Sequence, residues 1–286
     1  MTADVYALER RVAEAVATPA GEALPPGAEA TVSELLSALE AGTLRAAVRG
    51  DDGNWRAVPW VKQGILLAFR VGQMRDMTVG GDATPFRFFD KHTVPPRPLT
   101  LGDGVRVVPG GSGVRRGAYL APGVVCMPPL YVNVGAHVGA GTMVDSHALV
   151  GSCAQVGERV HLSAAAQVGG VLEPVNASPV VIEDDCVVGG NCGVYEGTVV
   201  RRRAVLGAGV VLTRGTPVYD LVRETVYRGS ADAPLEIPEG AVVVPGAREV
   251  RGDWAVGMGL SVQTPLVVKY RDERTDTATA LERWLR

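Results

Sequence analysis

An aliphatic residue recurs at every sixth position through the middle of the chain, and at one of these positions Cys takes its place. This first column comprises Val114, Leu120, Cys126, Val132, Val138, Val144, Val150, Val156, Leu162 and Val168. A period of six differs from that of an α-helix and from that of an alternating strand. It is typical of a parallel β-helix, in which each hexapeptide forms a short strand and a turn, and three close a coil of about 18 residues. The pattern therefore predicts a hexapeptide-repeat solenoid with these side chains pointing inward.

A second column of mostly small or β-branched residues lies four positions after each member of the first. It comprises Ala118, Val124, Leu130, Ala136, Thr142, Ala148, Ala154, Val160, Ala166 and Leu172. Gly often follows the first column, as at Gly139 and Gly151, where the turn needs a close backbone approach. Because each predicted coil bonds only to its neighbours, the solenoid should behave as a quasi-one-dimensional stack.

The repeat slips at residues 169–180, GGVLEPVNASPV, and resumes at Ile182. We interpret this spacing as two whole hexads plus a short loop of two extra residues. A second insertion, residues 219–236, precedes the last hexads at Ile237 and Val243. The interruptions are few and rich in Gly and charge, which indicates loops that form a site.

The amino-terminal part lacks the sixfold pattern and predicts mainly helices. Thr31-Val-Ser-Glu34 has the form of a capping box, so a helix is predicted to begin there and to end at Gly42. A hairpin is predicted at Asp52-Gly53, and Pro59 suits the first turn of another helix. Residues 76–104 are rich in Gly, Pro and Asp and predict a connecting stretch with little regular structure.

The predicted fold class is mainly β, with three parts. Residues 1–104 form a small, mostly α N-terminal domain and linker, residues 105–250 form the parallel β-helix, and residues 251–286 form a C-terminal segment. In that last segment PLVVKYR predicts a strand, and TDTATALERWLR predicts a short helix.

Charge and composition narrow the function. Lys and Arg total 28 against 31 Asp and Glu, for a net charge of -3, so there is no global basic field for nucleic acid. No apolar stretch is long enough for a membrane span, and the charged amino terminus is unlike a signal peptide. We therefore expect a cytoplasmic protein with neither nucleic acid nor membrane as a partner. The cysteines fit no C-x-x-C pattern and are expected to be buried packing residues: Cys126, Cys153, Cys186 and Cys192.

Several segments resemble the tetrahydrodipicolinate N-succinyltransferase family. In order along the chain they are LRAAVRGDDGNWRAVPWVKQGILLAFR, VRVVP, GTMVD, VGSCAQVG, VHLS, GGVLEP, IEDDCVVGG and VVKYR. The resemblance implies a homotrimer of left-handed β-helices with active sites in clefts between neighbouring subunits. It also implies succinyl-CoA as the donor and L-2-amino-6-oxopimelate, the opened form of tetrahydrodipicolinate, as the acceptor. The coenzyme A thioester is then a co-substrate, and no tightly bound cofactor is expected.

The resemblance also assigns four acceptor-site residues. Arg106 in VRVVP matches the family's substrate-carboxylate arginine, and a guanidinium can grip a carboxylate with two parallel hydrogen bonds. Asp145 in GTMVD matches an acceptor-binding aspartate and is a candidate base for the amine proton. Because Asp145 directly follows the inward column, its side chain should face outward, toward a neighbouring subunit. Ser152 and Gly170 match further acceptor-site positions.

One position departs from the family pattern. The family carries a glutamate, a second candidate catalytic carboxylate, where this chain has Gly193. Glu196, three residues on, is the alternative candidate for that carboxylate. The departure leaves open an acetyl-CoA-dependent enzyme acting on a related amino acid, like the acetyltransferase of tabtoxin-type antimetabolite synthesis.

Coenzyme A is expected near the end of the solenoid. The exposed amides of Gly207, Ala208 and Gly209 fit a pantetheine arm that runs along the coils. Arg248 and Arg251 are expected to meet the phosphates.

Three other functions are compatible with single features of the sequence. His137, His147 and His161 lie in the solenoid, and the first and last are predicted on nearby coils, which raises a zinc site like that of β-helical carbonic anhydrases. The ligands of that family do not align here, so no metal is expected, and His161 is interpreted as a structural or cleft-lining residue. A non-enzymatic solenoid scaffold remains the alternative of another class. A nucleotidyltransferase is disfavoured because the first 100 residues hold no Gly-rich phosphate loop.

Overall fold

The computed structural model describes residues 3–80 and 84–272. Its amino-terminal part contains three helices: α1 (Ala3–Ala17), α2 (Ala28–Glu40) and α3 (Pro59–Val71). It also contains a hairpin of β1 (Ala47–Arg49) and β2 (Trp55–Ala57), and a ribbon of β3 (Met74–Asp76) and β4 (Phe89–Lys91). A 3-10 turn, Leu101–Asp103, leads into the repeat.

The predicted hairpin and the helix start at Pro59 are confirmed, whereas the start of one helix needs correction and another helix was missed. Helix α2 begins at Ala28 after Gly27, whose φ of 87° stops the chain from being helical any earlier. Thr31 therefore lies buried inside the helix, and the capping-box interpretation is wrong. Helix α1 was not predicted from the sequence, although its buried residues Leu8, Val12 and Ala15 have helical spacing.

The repeat folds into a three-faced parallel β-helix, as the sixfold pattern predicts. Face 1 consists of β6 (Gly113–Val114), β9 (Tyr131–Val132), β12 (Leu149–Val150), β15 (Gln167–Val168), β18 (Gly193–Val194) and β21 (Val211–Leu212). Face 2 consists of β7 (Tyr119–Leu120), β10 (His137–Val138), β13 (Gln155–Val156), β16 (Val181–Ile182), β19 (Val199–Val200) and β24 (Glu236–Ile237). Face 3 consists of β5 (Arg106–Val107), β8 (Val125–Cys126), β11 (Met143–Val144), β14 (His161–Leu162), β17 (Val187–Val188), β20 (Val205–Leu206) and β25 (Ala241–Glu249).

Successive coils stack in strict register. Val138 pairs with Leu120 in the coil before it and with Val156 in the coil after it, and the other faces repeat this spacing. The first-column side chains fill the interior, and even Val114 at the open end is only 7% exposed. All four cysteines are buried and free, which confirms that they are packing residues.

The loop at residues 169–180 is longer than the sequence interpretation allowed. Val168 ends a face 1 strand and Ile182 ends the next face 2 strand, so a single hexad step carries eight extra residues. The interpretation as two hexads plus two residues is therefore wrong. Leu172, assigned to the second column, instead packs against the amino-terminal helices.

The carboxyl-terminal part extends face 3. Strands β22 (Val218–Asp220) and β23 (Thr225–Tyr227) form a hairpin in the second insertion, and β22 pairs with β26 (Ser261–Tyr270). Strand β26 runs antiparallel to β25, which confirms the predicted final strand and lengthens it. A short helix α4 (Asp253–Gly257) joins the two, and the helix predicted for residues 275–286 lies outside the described residues. The domain boundaries at 104/105 and 250/251 stay predictions.

Candidate active site

Asp145 lies at the corner where the chain turns from face 3 to face 1, here called corner 3/1. The residue follows Val144, whose side chain is fully buried, so Asp145 projects outward as predicted. Its side chain is 30% exposed, and its Oδ1 accepts a hydrogen bond of 2.7 Å from the Ser146 amide. That bond fixes one carboxylate oxygen.

His161 lies one coil from Asp145 on the same face. Met143 and His161 are direct partners in face 3, and His161 Nε2 stands 3.8 Å from Asp145 Oδ2. From the sequence, His161 is predicted to be a structural or cleft-lining residue, and the structure places it next to Asp145, the candidate base. The 18-residue spacing from Met143 could have revealed this, because one coil returns the chain to the same outward row.

Arg106 shares this face at the first strand, β5. It is exposed and pairs with Val125, which pairs in turn with Met143. Two strand spacings therefore separate Arg106 from the row of Asp145, about 10 Å. A guanidinium on its long side chain can reach toward a carboxylate held beside Asp145.

Ser152, Gly170 and Glu196 lie at the next corner, where face 1 turns into face 2, here called corner 1/2. Ser152 and Gly170 are adjacent, since a Cβ on Gly170 would lie 2.6 Å from the Ser152 amide nitrogen. Glu196 is exposed, and its Oε2 accepts a hydrogen bond of 3.0 Å from the Arg214 amide.

A groove of about 810 Å³ runs along this corner, here called the 1/2 groove. Its lining includes Leu149, Gly170, Glu173, Tyr195, Glu196 and Arg214.

The two corners are far apart within one chain. A whole hexad, which consists of a turn and the face 1 strand Leu149–Val150, separates Asp145 from Ser152 and spans at most about 20 Å. The structure thus places Arg106, Asp145 and His161 on face 3 or its corner, with only Asp145 and His161 close to each other, and it places Ser152, Gly170 and Glu196 along corner 1/2.

Small residues pave corner 3/1 from Asp145 toward the carboxyl-terminal hairpin. They are Ser163, Ala164, Ala165, Gly189, Gly190, Gly207, Ala208 and Gly209. Three coils, about 14 Å at normal strand spacing, separate Asp145 from Gly207. This strip, here called the small-residue track, leaves room for a narrow, extended ligand arm.

The amides expected for coenzyme A are not free. The Gly207 amide donates to the Val243 carbonyl and the Gly209 amide to the Gly190 carbonyl, because both belong to the stacking of the coils. The expectation of exposed amides is therefore wrong at these two residues, while their assignment to coenzyme A stays a prediction.

Arg248 lies close to the track. Gln263 donates to the Gly209 carbonyl and pairs with Ala247, the residue beside Arg248 in β25. Arg248 Nε is buried without a hydrogen-bond partner among the described residues, and Arg251 is exposed just beyond β25. Both cations therefore remain candidates for a phosphate.

The histidines do not converge. His137 lies on face 2 and His161 on face 3, so neighbouring coils still leave them on different faces. Within residues 3–80 and 84–272, no cluster of three or more His, Cys, Asp or Glu side chains is arranged to hold a metal ion.

His137 makes stability depend on pH. Burial, helped by the Arg45 guanidinium, lowers the pKa of His137 to about 3, whereas the unfolded chain takes up the proton near pH 6.5. Between these values the unfolded state binds more protons, so stability falls as the pH falls. His137→Phe should flatten this slope by up to about 1.4 kcal/mol per pH unit between pH 6 and 5, measured by urea unfolding. The exposed His147, replaced by Asn, is the control, and an equal flattening there would contradict the assignment.

Lys62 ties the amino-terminal helices to the 1/2 groove, a contact that the sequence did not suggest. It is fully buried in α3, and its Nζ donates to the carbonyls of Pro174 and Ala177 at 3.1 and 2.7 Å. Burial lowers the pKa of its ammonium group. A lysine thus anchors the long loop that lines the groove.

Two family models match parts of this chain. Residues 9–71 match the family model for the N-terminal domain of tetrahydrodipicolinate N-succinyltransferase. Residues 179–214 match the model for the hexapeptide repeat of succinyl-transferase. The fold and these matches define a protein of the hexapeptide-repeat class, with a family-specific helical domain in front of the repeat.

Full-length relatives are more specific. The 2,3,4,5-tetrahydropyridine-2,6-dicarboxylate N-succinyltransferase of Paramagnetospirillum magneticum is 43% identical over 89% of both chains. A Chelativorans protein of the same name is 38% identical over 100% of this chain and 99% of its own. The chain therefore belongs to the tetrahydrodipicolinate N-succinyltransferase family.

A solved structure supports the fold alone. It is a Campylobacter jejuni chain described as a 2,3,4,5-tetrahydropyridine-2-carboxylate N-succinyltransferase, 19% identical with a TM-score of 0.50. The match covers 83% of this chain and 62% of that chain.

Proposed function

We propose that this protein transfers the succinyl group of succinyl-CoA to the amine of L-2-amino-6-oxopimelate, the opened form of tetrahydrodipicolinate. The observation that carries the proposal is the outward Asp145 carboxylate at the head of the small-residue track. The names of relatives that are about 40% identical over most of the chain support the choice of substrates.

The proposed chemistry is a direct attack within a ternary complex. Arg106 holds an acceptor carboxylate, and Asp145 orients the amine and takes its proton. The amine nitrogen bonds to the thioester carbonyl carbon, and a backbone amide stabilises the resulting oxyanion. The C–S bond then breaks, and the sulfur receives the proton that Asp145 took from the amine, so coenzyme A leaves as the thiol. No acyl-enzyme forms.

We further propose that each site is shared between chains of a homotrimer. One small acceptor cannot span the distance between corner 3/1 and corner 1/2 of a single chain. Apposing corner 3/1 of one protomer with corner 1/2 of the next brings both groups of residues to one cleft. Such head-to-tail contacts close into a ring when the rotation permits.

The proposed compartment is the cytoplasm. All four cysteines are free, which is typical of proteins kept in a reducing environment. None of the described helices has the length and apolar character needed to cross a membrane.

A donor panel tests the function. Tetrahydrodipicolinate is offered with succinyl-CoA or acetyl-CoA, and the release of thiol is followed. The protein's own thiols add little background, because burial raises the pKa of Cys126 to about 11 and that of Cys153 to about 12. We expect a clear preference for succinyl-CoA. A preference for acetyl-CoA would favour the paralogue that Gly193 leaves open, and no binding of either thioester by calorimetry would favour a scaffold.

A further inference from the structure

The ring of Tyr195 rests on two glycines of face 1. A Cβ built on Gly193 would overlap the ring and lie 2.9 Å from Tyr195 Oη. A Cβ built on Gly169 would lie 2.7 Å from Cδ1 of the same ring. Both glycines are buried, so the ring covers them. Tyr195 thus occupies the space that a side chain at position 193, where the family pattern has glutamate, would need.

The backbone around Tyr195 is firmly held. Its amide donates to the Leu212 carbonyl at 2.9 Å, and its carbonyl accepts from the amide and the hydroxyl of Thr198. The ring is therefore presented from a fixed corner, and its direction is set by the two glycines beneath it.

Two hydrogen-bond donors in the 1/2 groove have no partner among residues 3–80 and 84–272. Tyr195 and Arg214 both line the groove. Across the described part of the chain, neither the Tyr195 hydroxyl nor the Arg214 guanidinium has a hydrogen-bond or ion-pair partner, although the Arg214 amide is bonded to Glu196. A neutral donor and a cation that line one groove suit a carboxylate.

We propose that the Tyr195 hydroxyl and the Arg214 guanidinium together bind a carboxylate of the amino-dicarboxylate acceptor, a step that rests on the proposed function. Glu173 and Glu196 line the same groove and favour a ligand that also carries an ammonium group over a simple polyanion. Gly193 and Gly169 act as positioning residues, because they seat the ring. Gly193, at the position of the family's glutamate, and Tyr195 therefore act together in binding the carboxylate.

Binding and kinetics test the pair. Tyr195→Phe and Arg214→Gln should each raise KM for the acceptor about 10-fold or more, as expected for the loss of a hydrogen bond to a charged group. KM for succinyl-CoA should stay within about twofold. Calorimetry with pimelate, a seven-carbon dicarboxylate with no amine to acylate, should show the same loss of affinity. An unchanged acceptor KM together with unchanged pimelate affinity would overturn the proposal.

A double-mutant cycle tests whether Gly193 positions the Tyr195 ring. Gly193→Ala should raise the acceptor KM in the wild-type background, because the added methyl group displaces the ring, and it should have no further effect after Tyr195→Ala. Only the end of a side chain has to move, so the variant should fold, and its melting temperature checks this. Gly257→Ala, whose added Cβ meets no atom within 4 Å, is the matched control. Additive effects at positions 193 and 195 would overturn the proposal that Gly193 positions the Tyr195 ring.

The outcomes separate this proposal from the proposed function. Pimelate binding that depends on Tyr195 and Arg214, without acyl transfer by the wild-type protein, would remove the function and keep the carboxylate pair. Normal transfer by both variants would keep the function and remove the pair. Neither transfer nor pimelate binding by the wild-type protein would remove both.

Discussion

Replacing Asp145 by Asn is expected to lower the turnover number by about 100- to 10,000-fold, the range over which general bases contribute. In the wild-type protein the Ser146 backbone amide donates to Asp145 Oδ1 at 2.7 Å. The Asn side chain keeps an oxygen that can accept this hydrogen bond, so the turn should survive. It cannot collect the amine proton. Stopped assays with succinyl-CoA and tetrahydrodipicolinate measure the loss, and thermal melting checks the fold.

Asp51→Asn is the matched control, because Asp51 is an exposed aspartate at the tip of the β1–β2 hairpin. It should leave turnover unchanged. Turnover within about twofold of wild type in Asp145→Asn would remove this residue from the proton transfer and leave His161, 3.8 Å away, as the next group to examine.

The same variant reports whether sites are shared. Asp145→Asn damages corner 3/1, while Ser152→Trp fills the space beside Gly170 at corner 1/2. If each site joins corner 3/1 of one chain to corner 1/2 of the next, every mixed trimer keeps one intact site, and equal random mixing restores roughly a quarter of wild-type activity. The proteins are mixed after partial denaturation and reassembled. No recovery in trimers shown to be mixed would place the whole site within one chain.

The sequence predicted the β-helix because the repeat alone determines whether each first-column side chain lies inside or outside the solenoid. An aliphatic residue such as Val144 must be inside, and the next residue, Asp145, must then be outside, so both fold and orientation follow from spacing alone. The proximity of Asp145 and His161 could be predicted in the same way, since one coil separates them.

Contacts between segments that are distant in the sequence could not be predicted in this way. The loop at residues 169–180 was misread because its apolar Leu172 looks like a column residue, and only the packing of the helices shows that it leaves the solenoid. The overlap of Tyr195 with Gly193 depends on the path of a side chain over its own turn, which spacing does not specify. Lys62 gave no signal, because a lysine in a helix is usually solvated.

Replacing Lys62 by Met is expected to lower kcat/KM for the acceptor by about 10- to 100-fold, which corresponds to 1.5–3 kcal/mol for hydrogen bonds to a charged group. Met is close to Lys in length and apolar, so α3 should stay packed. The carbonyls of Pro174 and Ala177 lose their ammonium partner, and the loop that they belong to lines the 1/2 groove. Steady-state kinetics measures the loss.

Hydrogen exchange distinguishes a released loop from general unfolding. Backbone amides of residues 169–180 should exchange faster in Lys62→Met, while the strands of face 3 keep their protection. Lys269→Met, at an exposed lysine 3.4 Å from Asp272, should alter neither exchange nor kinetics. Because removing a desolvated charge also favours the folded state, the melting temperature can stay level while the loop opens. Unchanged exchange in the loop would mean that α3 does not hold it, and the amino-terminal domain would then have no direct part in shaping the acceptor groove.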